Sequence, residues 1–187
     1  YDEVLNKDLI KKLNSFLPKD IAVYRLFLMD NEAHARFDAT SRSYNYFISP
    51  FKDAFAFDSA WIFSRDLDMD KMNEAGKLLI KQADFGSFAK LHTDVKTNIC
   101  DVTTAFWRKN ENGQLVFEIT ADRFLRNMVR AIVGTLVDIG LGKISIEEFS
   151  EIIEQKQRSS AGASAPAHGL YLVDVQYPKE LFKNEFK

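Results

Sequence analysis

Apolar side chains recur every three or four residues in several stretches of the chain, a spacing that places them on one face of an amphipathic helix. The helices predicted in this way cover Leu5–Phe16, Asp70–Lys81, Arg123–Gly142 and Ile146–Lys156. Pro18 ends the first of them, because a proline ring cannot continue a helix. Ser145 precedes the last one, where a serine hydroxyl caps free backbone N–H groups.

Runs of β-branched and aromatic residues between turn residues predict strands. They cover Ile21–Met29, Ala35–Ile48, Asn98–Trp107, Leu115–Thr120 and Leu170–Tyr177. Residues 111–113 spell Glu-Asn-Gly, a turn signal that predicts a hairpin between the third and fourth of these strands. Small residues at 159–169 predict a flexible loop.

The order of these elements is α, β, β, α, β, β, α, α, β. Because strands occur in pairs as well as between helices, this order predicts an α+β fold with a largely antiparallel (mixed) sheet and helices packed on one face. The length of 187 residues fits one domain, spanning residues 1–187, with a sizeable core.

The longest predicted helix carries three arginines. Arg123, Arg126 and Arg130 are three and four residues apart, so at about 100° per residue they fall within an arc of roughly 60°. Guanidinium groups on one helix face suit a phosphate backbone or a buried carboxylate. The pattern alone favours the plainer alternative, a core helix with a solvated charged edge. Gly140 is predicted to cap the end of this helix.

Composition limits the possible classes of protein. Hydrophobic residues make up 46% of the chain and charged residues 28%, as in globular proteins. The formal net charge of −2 gives no overall basic signature, so a nucleic-acid site must be a local patch. Cys100 is the single cysteine, which rules out a disulfide within the chain and favours a reducing compartment. No apolar run is long enough for a transmembrane helix.

The sequence predicts no metal site. Asp66, Asp68 and Asp70 imitate the start of a calcium loop, but Lys71 and Lys77 stand where such a loop needs glycine and glutamate. The three histidines lack the spacing of metal ligands. A solvated acidic turn before a helix is the interpretation that these aspartates favour.

A second candidate site lies in residues 33–46. Arg36 and Arg42 are interleaved there with Tyr44 and Tyr46, and the two tyrosines are predicted to share one face of a strand with the arginines. Basic and aromatic residues together can stack on an unpaired base while they hold phosphates. The alternative is a half-buried strand with tyrosines in the core and arginines in solvent, and the residues alone slightly favour it.

Four segments carry a resemblance to a known family. They are HARFDATSRSYNY at 34–46, DFGSFAK at 84–90, FLRNMVRAIVGTLVDIG at 124–140 and AGASAPAHGLYLVDVQYP at 161–178. In these residues, and in their order and spacing, the chain resembles the tRNA pseudouridine synthase A (TruA) family over essentially its whole length.

The resemblance implies isomerisation of uridine to pseudouridine in the anticodon stem-loop of tRNA. In this family the glycosidic bond is broken, the base turns, and the base is rejoined through carbon, without a metal or an organic cofactor. The resemblance further implies a cytoplasmic homodimer with RNA crossing clefts between the subunits.

The resemblance also implies roles for individual residues. Tyr44 matches the family's active-site tyrosine, and Tyr46 is expected to pack behind it. Arg130 matches the basic partner of the family's nucleophilic aspartate, an ion pair that lowers the pKa of the carboxylate and fixes its direction. Residues 33–37 and 94–98 match segments that touch RNA. The expected RNA-binding residues are His34, Arg36, Phe37, Arg42, Lys96, Thr97, Asn98, Arg123 and Arg126, with Gly169 and Leu170 on the pocket floor.

One departure from the family matters for function. The family's nucleophilic aspartate lies in a phrase of the form GRTDAGVHA, and this phrase is absent from the chain. Asp38 follows Arg36 and Phe37 in a superficially similar phrase, but its flanks match the family's later HARF segment, so Asp38 is not expected to be the nucleophile. The nucleophile is therefore expected outside this chain, upstream of Tyr1.

Two hypotheses from different classes follow. In the first, the parent protein is an active synthase, of which this chain is the carboxy-terminal two-thirds or so and inactive alone. In the second, the chain is a non-catalytic RNA-binding or dimerisation module of α+β fold. A weaker third hypothesis is an unrelated α+β domain whose arginines are merely solvated.

Overall fold

The computed structural model describes residues 7–90, 96–182 and 184–185. Leu5 and Asn6 of the first predicted helix, and Asp94 and Val95 of the second predicted RNA-contacting segment, lie outside the described residues. The helices are α1 (Lys7–Phe16), α2 (Met69–Ile80), α3 (Met128–Gly140) and α4 (Ile146–Gln155). The strands are β1 (Phe27–Leu28), β2 (Ser41–Ser49), β3 (Trp61–Ile62), β4 (Val102–Lys109), β5 (Leu115–Ala121), β6 (Leu170–Gln176) and β7 (Asn184–Glu185).

The chain divides into two compact units, residues 1–39 with 177–187, and residues 40–176. The first unit contains α1 and a short antiparallel ribbon of β1 and β7, in which Phe27 pairs with Glu185. The side chain of Asn14 holds the segment after α1, because its amide accepts from the backbone of Val23 and donates back to it, each at 2.7 Å. The expectation of a single domain stays a prediction.

The second unit is built on β2. On one side β2 pairs antiparallel with β5, which continues to β4 through a hairpin. On its other side β2 pairs antiparallel with β6 along residues 41–46 and parallel with β3 at residues 48–49. The sheet is therefore mixed and mainly antiparallel, as predicted, and the predicted hairpin turn joins β4 to β5.

One face of this sheet packs against α2, α3 and α4. Alternate residues of β2, β4 and β5 enter a single core with the apolar stripes of these helices, since side chains two apart in a strand share a face. The largest fully buried residues of this core include Tyr46, Phe117, Phe149, Met72 and Ile132. The structure confirms the predicted α+β fold with helices on one face.

The helix α3 begins five residues later than predicted, at Met128 rather than Arg123. Asn127 has a left-handed backbone with φ of 68°, which no helix can pass through. Phe124 and Leu125 continue the apolar spacing but lie in an irregular segment before the helix, where Leu125 is buried. Apolar periodicity reports burial, and here it extends beyond the helix. Arg123, Arg126 and Arg130 therefore do not share a helix face, and that prediction is wrong.

The end of α3 also differs from the prediction. Gly140 is a buried residue of the last turn, and a Cβ atom there would lie 2.5 Å from Sδ of Met72. The left-handed residue is Gly142, with φ of 68°. The N–H groups of Gly142 and Lys143 donate to the carbonyls of Ile139 and Asp138, the pattern of a Schellman cap.

Strand boundaries shift for local reasons. The strand predicted at Ile21–Met29 is reduced to β1, and the strand predicted at Ala35–Ile48 begins at Ser41, because residues 31–38 form turns. The strand predicted from Asn98 begins at Val102, after a single bridge between Asp84 and Ile99. The capping box of Ser145 and Glu148 at the start of α4 confirms the predicted N-cap.

Candidate active site

Tyr44 lies in the middle of β2, on the same face as Tyr46 and half-buried. Its ring meets that of Phe124 edge-on, with centroids 5.1 Å apart and planes at 86°. The pairing of β2 with β6 slips at this point: Ser43 pairs with Asp174 and Tyr44 with Leu172. Such bulges reorient side chains locally, and this one falls beside the tyrosine that the sequence singled out.

Tyr46, two residues further along β2, is fully buried. Its hydroxyl donates to the carbonyl of Pro166 at 2.7 Å, and its ring meets Trp61 edge-on. Burial raises the pKa of Tyr46 well above its ordinary value, whereas the positive charge of Arg130 acts in the opposite direction. Tyr46 is thus a neutral hydrogen-bond donor of the core near Arg130, and the expectation that it packs behind Tyr44 stays a prediction.

Arg130 lies in the first turn of α3 and is half-buried. Its Nε donates to the carbonyl of Ala165 at 2.6 Å, and its own carbonyl accepts from the backbone N–H of Ala165 at 2.9 Å. Two bonds therefore fix the guanidinium against one residue of a neighbouring loop. Within residues 7–90, 96–182 and 184–185, no carboxylate forms an ion pair with Arg130.

The loop that holds Arg130, residues Ala161–Ala165, is here called the strap. It lies directly on α3, because a Cβ atom at Gly134 would stand 1.8 Å from the carbonyl oxygen of Ala163. The backbone N–H of Gly162 donates to Oγ1 of Thr135 at 3.0 Å. The predicted loop is present, but these contacts hold it to the helix instead of leaving it flexible.

Gly169 and Leu170 follow the strap and lead into β6. Gly169 is buried, and a Cβ atom there would lie 2.9 Å from Cζ of Tyr46 and 2.9 Å from the carbonyl oxygen of Phe47. Leu170 pairs with Tyr46 in the sheet. Both residues therefore lie beside the tyrosine pair, where the resemblance expects a pocket floor.

Arg42, Arg123 and Arg126 are the other arginines of the second unit that were predicted to bind RNA. Arg42 donates from Nη1 to the carbonyl of Asp122 at 2.6 Å, next to the half-buried Arg123. Arg126 is exposed and contributes its carbonyl as acceptor for the backbone N–H of Lys90. Arg42 belongs to β2, whereas Arg123 and Arg126 belong to the segment between β5 and α3.

The described part of the second predicted RNA-contacting segment is residues 96–98. Lys96 and Thr97 are exposed, and the hydroxyl of Thr97 accepts from the backbone N–H of Ile99 at 3.1 Å. Asn98 is half-buried and its carbonyl accepts from Phe85 at 3.0 Å. Of the three, Lys96 alone presents a charge to solvent.

In the first unit, His34, Arg36 and Phe37 form an exposed turn. Nδ1 of His34 accepts from the backbone N–H groups of Arg36 and Phe37, at 3.1 and 3.3 Å. The guanidinium of Arg36 lies 5.8 Å from the centroid of the Phe37 ring, a cation–π distance. Phe37 is 74% exposed, so the turn displays an aromatic surface beside a cation.

Asp38 closes this turn. Its carboxylate accepts from the backbone N–H of His34 at 2.7 Å, and its own N–H donates to the carbonyl of His34 at 3.0 Å. This is the local capping typical of aspartate in turns. Asp38 thus has a structural task, and the expectation that it is not the nucleophile stays a prediction.

Sequence reasoning missed Asn127 and Arg158, which contact the strap, and Ser164, which lies in it. Asn127 donates to Oγ of Ser164 at 2.6 Å, and Arg158 donates to the same oxygen at 2.9 Å. No periodic pattern indicates these contacts, because they do not follow the residue spacing of a helix or a strand. The run of small residues at 161–165 was the available signal, since only small side chains let a loop lie on a helix.

The described residues contain neither a metal-binding cluster nor a helix that could span a membrane. No three His, Cys, Asp or Glu side chains are grouped so that they could hold a metal ion. Across the same residues, no helix has the length and apolar character needed to cross a membrane.

Sequence comparisons identify the family. Residues 75–178 match the sequence profile described as tRNA pseudouridine synthase. The chain is 55% identical to a tRNA pseudouridine synthase A of Porphyromonas gingivalis over 175 residues, which cover 93% of this chain and 69% of the relative. It is 54% identical to one of Parabacteroides distasonis over 177 residues, covering 95% and 70% of the two chains. A more distant relative, of Bacillus subtilis, is 43% identical over 167 residues, which cover 88% of this chain and 67% of the relative. The chain belongs to the tRNA pseudouridine synthase family.

Proposed function

We propose that the protein containing this chain isomerises uridine to pseudouridine in the anticodon stem-loop of tRNA. In this reaction the bond from C1′ to N1 breaks, the base turns, and a bond from C1′ to C5 forms while the C5 proton leaves and N1 gains a proton. The chain supplies Tyr44 and Arg130 to the site. The observation that carries the proposal is the fixed guanidinium of Arg130, which has no carboxylate partner among the described residues.

Arg130 has the properties that an ion-pair partner of a nucleophile needs. It is half-buried, where a charge is screened less than at the surface, and its direction is set by Ala165. A carboxylate placed against its terminal nitrogens would be held ionised, since a neighbouring positive charge lowers the carboxyl pKa. We propose that this carboxylate is not supplied by the residues of this chain, so that the chain alone is inactive.

Tyr44 provides an aromatic surface for the base. A uridine inside a stem or loop must leave its stack before protein groups can reach C1′. The half-buried ring of Tyr44, held edge-on by Phe124, can receive such a base. Gly169 and Leu170, beside Tyr46, form the floor below it in this proposal.

RNA binding rests on local charges. The exposed turn of Arg36 and Phe37 suits stacking on an unpaired base, while Arg42, Lys96, Arg123 and Arg126 suit phosphates. His34, Thr97 and Asn98 accompany them as polar contacts. Binding of tRNA should therefore weaken as salt rises, because each neutralised phosphate releases counterions.

We further propose a cytoplasmic homodimer, as the resemblance implies. The single buried thiol of Cys100 is compatible with a reducing compartment. Sedimentation of the full-length protein at micromolar concentration tests the assembly, and a monomer at every concentration would contradict it.

The experiment follows tritium released from C5 of uridine in tRNA. The full-length protein that contains this chain should release tritium, and Tyr44→Phe should reduce kcat by about 100-fold or more, the size expected when a hydroxyl that takes part in the reaction is removed. Arg108→Met is the matched control, because Arg108 lies on the far face of β4 and pairs with Glu118. No release by the wild-type full-length protein would refute the proposed function.

For the isolated chain, the proposal favours a non-catalytic RNA-binding module. The specific observation is again Arg130, which lacks a described carboxylate partner. Salt-sensitive tRNA binding without tritium release is the expected behaviour of the chain on its own.

A further inference from the structure

The direction of Arg130 depends on the strap. The carbonyl of Ala165 receives Nε, and the N–H of Ala165 returns a bond to the backbone of Arg130. A guanidinium held through Nε presents its two terminal nitrogens in a fixed plane, the geometry that binds a carboxylate through two parallel bonds. If the strap moves, that plane turns with it.

Arg158 fastens the strap at several points. Its Nη1 donates to the carbonyls of Gly162, at 3.1 Å, and Ala161, at 3.3 Å, and its Nη2 donates to Oγ of Ser164 at 2.9 Å. One planar guanidinium thus donates to three acceptors of the strap. The half-buried position of Arg158 strengthens these charge-assisted bonds.

Asn127 also binds Ser164 of the strap, from the beginning of α3. It occupies the N-cap position of α3, yet its side chain caps no helical N–H group and instead donates to Oγ of Ser164 at 2.6 Å. Its left-handed backbone costs free energy that persists only where the surroundings compensate for it. Ser164 therefore receives two donors, and the strap is held between the beginning of α3 and the segment after α4.

We propose that Arg158 is a positioning residue for the isomerisation. It acts through the strap, where Ser164 accepts from both Arg158 and Asn127. The strap in turn holds the Ala165 carbonyl that orients the guanidinium of Arg130. The inference rests on the proposed function of Arg130. Arg158 itself touches neither substrate nor nucleophile.

The first test compares Arg158→Met with Arg108→Met in the full-length protein. Arg158→Met should lower kcat about tenfold or more, because a small misplacement of a catalytic group is costly, while KM for tRNA stays within about twofold. Arg158→Lys keeps the positive charge on a single donor nitrogen without the planar fork, so it should recover part of the loss. Arg108→Met should leave kcat unchanged. An unchanged kcat in Arg158→Met, or an equal loss in Arg108→Met, would overturn the proposal.

The second test is a double-mutant cycle with Arg130→Gln. If Arg158 acts through Arg130, adding Arg158→Met to Arg130→Gln should cause no further loss of kcat. Losses that multiply would show an effect independent of Arg130 and overturn the inference. A wild-type kcat in Arg130→Gln would instead refute the proposed role of Arg130, so the two failures are distinguishable.

Should Arg158→Met fail to fold, Ser164→Ala carries the same expectation. It removes the acceptor of both Asn127 and Arg158 while it changes a single atom. The variant should lower kcat, again without further loss in the Arg130→Gln background. A wild-type kcat in Ser164→Ala would overturn the proposal.

Discussion

The region around Tyr44 and Arg130 and the turn around Arg36 and Phe37 are built in different ways. In the first, the strap lies directly on Gly134, and one side-chain and one backbone hydrogen bond join Arg130 to Ala165 across 35 residues. In the second, the bonds of His34 and Asp38 span two to four residues, one longer bond runs from the hydroxyl of Tyr177 to the carbonyl of Ala35, and Phe37 is 74% exposed. A reacting group must be held to a fraction of an ångström, whereas a surface that meets RNA can adapt. The contrast supports the proposal that the first region holds the reacting groups and that the second contacts RNA.

The largest expected effect is on kcat, and it should distinguish Arg130 from Arg123. In the full-length protein, Arg130→Ala should lower kcat by about 100-fold or more, because the ionised nucleophile loses its charge partner. Arg123→Ala should mainly raise KM, since Arg123 is outside α3 and suits a phosphate. Single-turnover rates with tritiated tRNA measure both. Equal losses of kcat would show that the assignment among the arginines is wrong.

The packing of the strap on α3 is tested at Gly134. Alanine favours helices by about 1 kcal/mol over glycine, but a Cβ atom 1.8 Å from the Ala163 carbonyl must displace the strap. The clash should win, so Gly134→Ala should lower the free energy of unfolding by about 1–3 kcal/mol and reduce kcat as well. Denaturant unfolding of the full-length protein checks the first effect.

Gly142→Ala is the matched control for that substitution. Nothing lies within 4 Å of a Cβ atom there, so the cost comes from the left-handed backbone alone. The expected loss is about 1 kcal/mol, with kcat unchanged. A kcat loss as large as that of Gly134→Ala would remove the link between the strap and catalysis.

The exposed turn should affect binding rather than chemistry. Phe37→Ala should weaken tRNA binding by about tenfold, the value of one lost base stack, with kcat at saturating tRNA unchanged. Arg36→Ala should lower the slope of log K against log salt by about 1. Filter binding at several salt concentrations measures both. A fall in kcat without a change in binding would reverse the roles of the two regions.

Asp38 should give the smallest catalytic effect. Asp38→Asn weakens the capping of the turn, so stability should fall by about 1 kcal/mol or less, while kcat stays close to wild type. Loss of all activity, with the protein folded and tRNA bound, would make Asp38 a candidate nucleophile.

Much of the fold follows from local signals. Ser145 caps α4, the Glu-Asn-Gly turn joins β4 to β5, and the spacing of α2 gave its limits to within one residue, since the information for each lies within a few positions. The start of α3 was missed because the apolar spacing continues through Leu125, which is buried outside the helix.

The candidate site could be predicted from the sequence only in part. Resemblance pointed to Tyr44 and Arg130, and the charged pattern pointed to the arginines. Neither could show the bonds from Asn127 and Arg158 to Ser164, because these bonds depend on how the loop after α4 folds and packs on α3. Such positioning contacts become visible only in the fold.

The central claim is that this chain carries Tyr44 and Arg130 of the site while another segment supplies the nucleophile. The most direct test incubates the chain alone, and the full-length protein in parallel, with tRNA tritiated at C5 of uridine. The account predicts tritium release by the full-length protein and none above background by the chain, even where the chain binds tRNA. Release by the chain at a comparable rate would contradict the account.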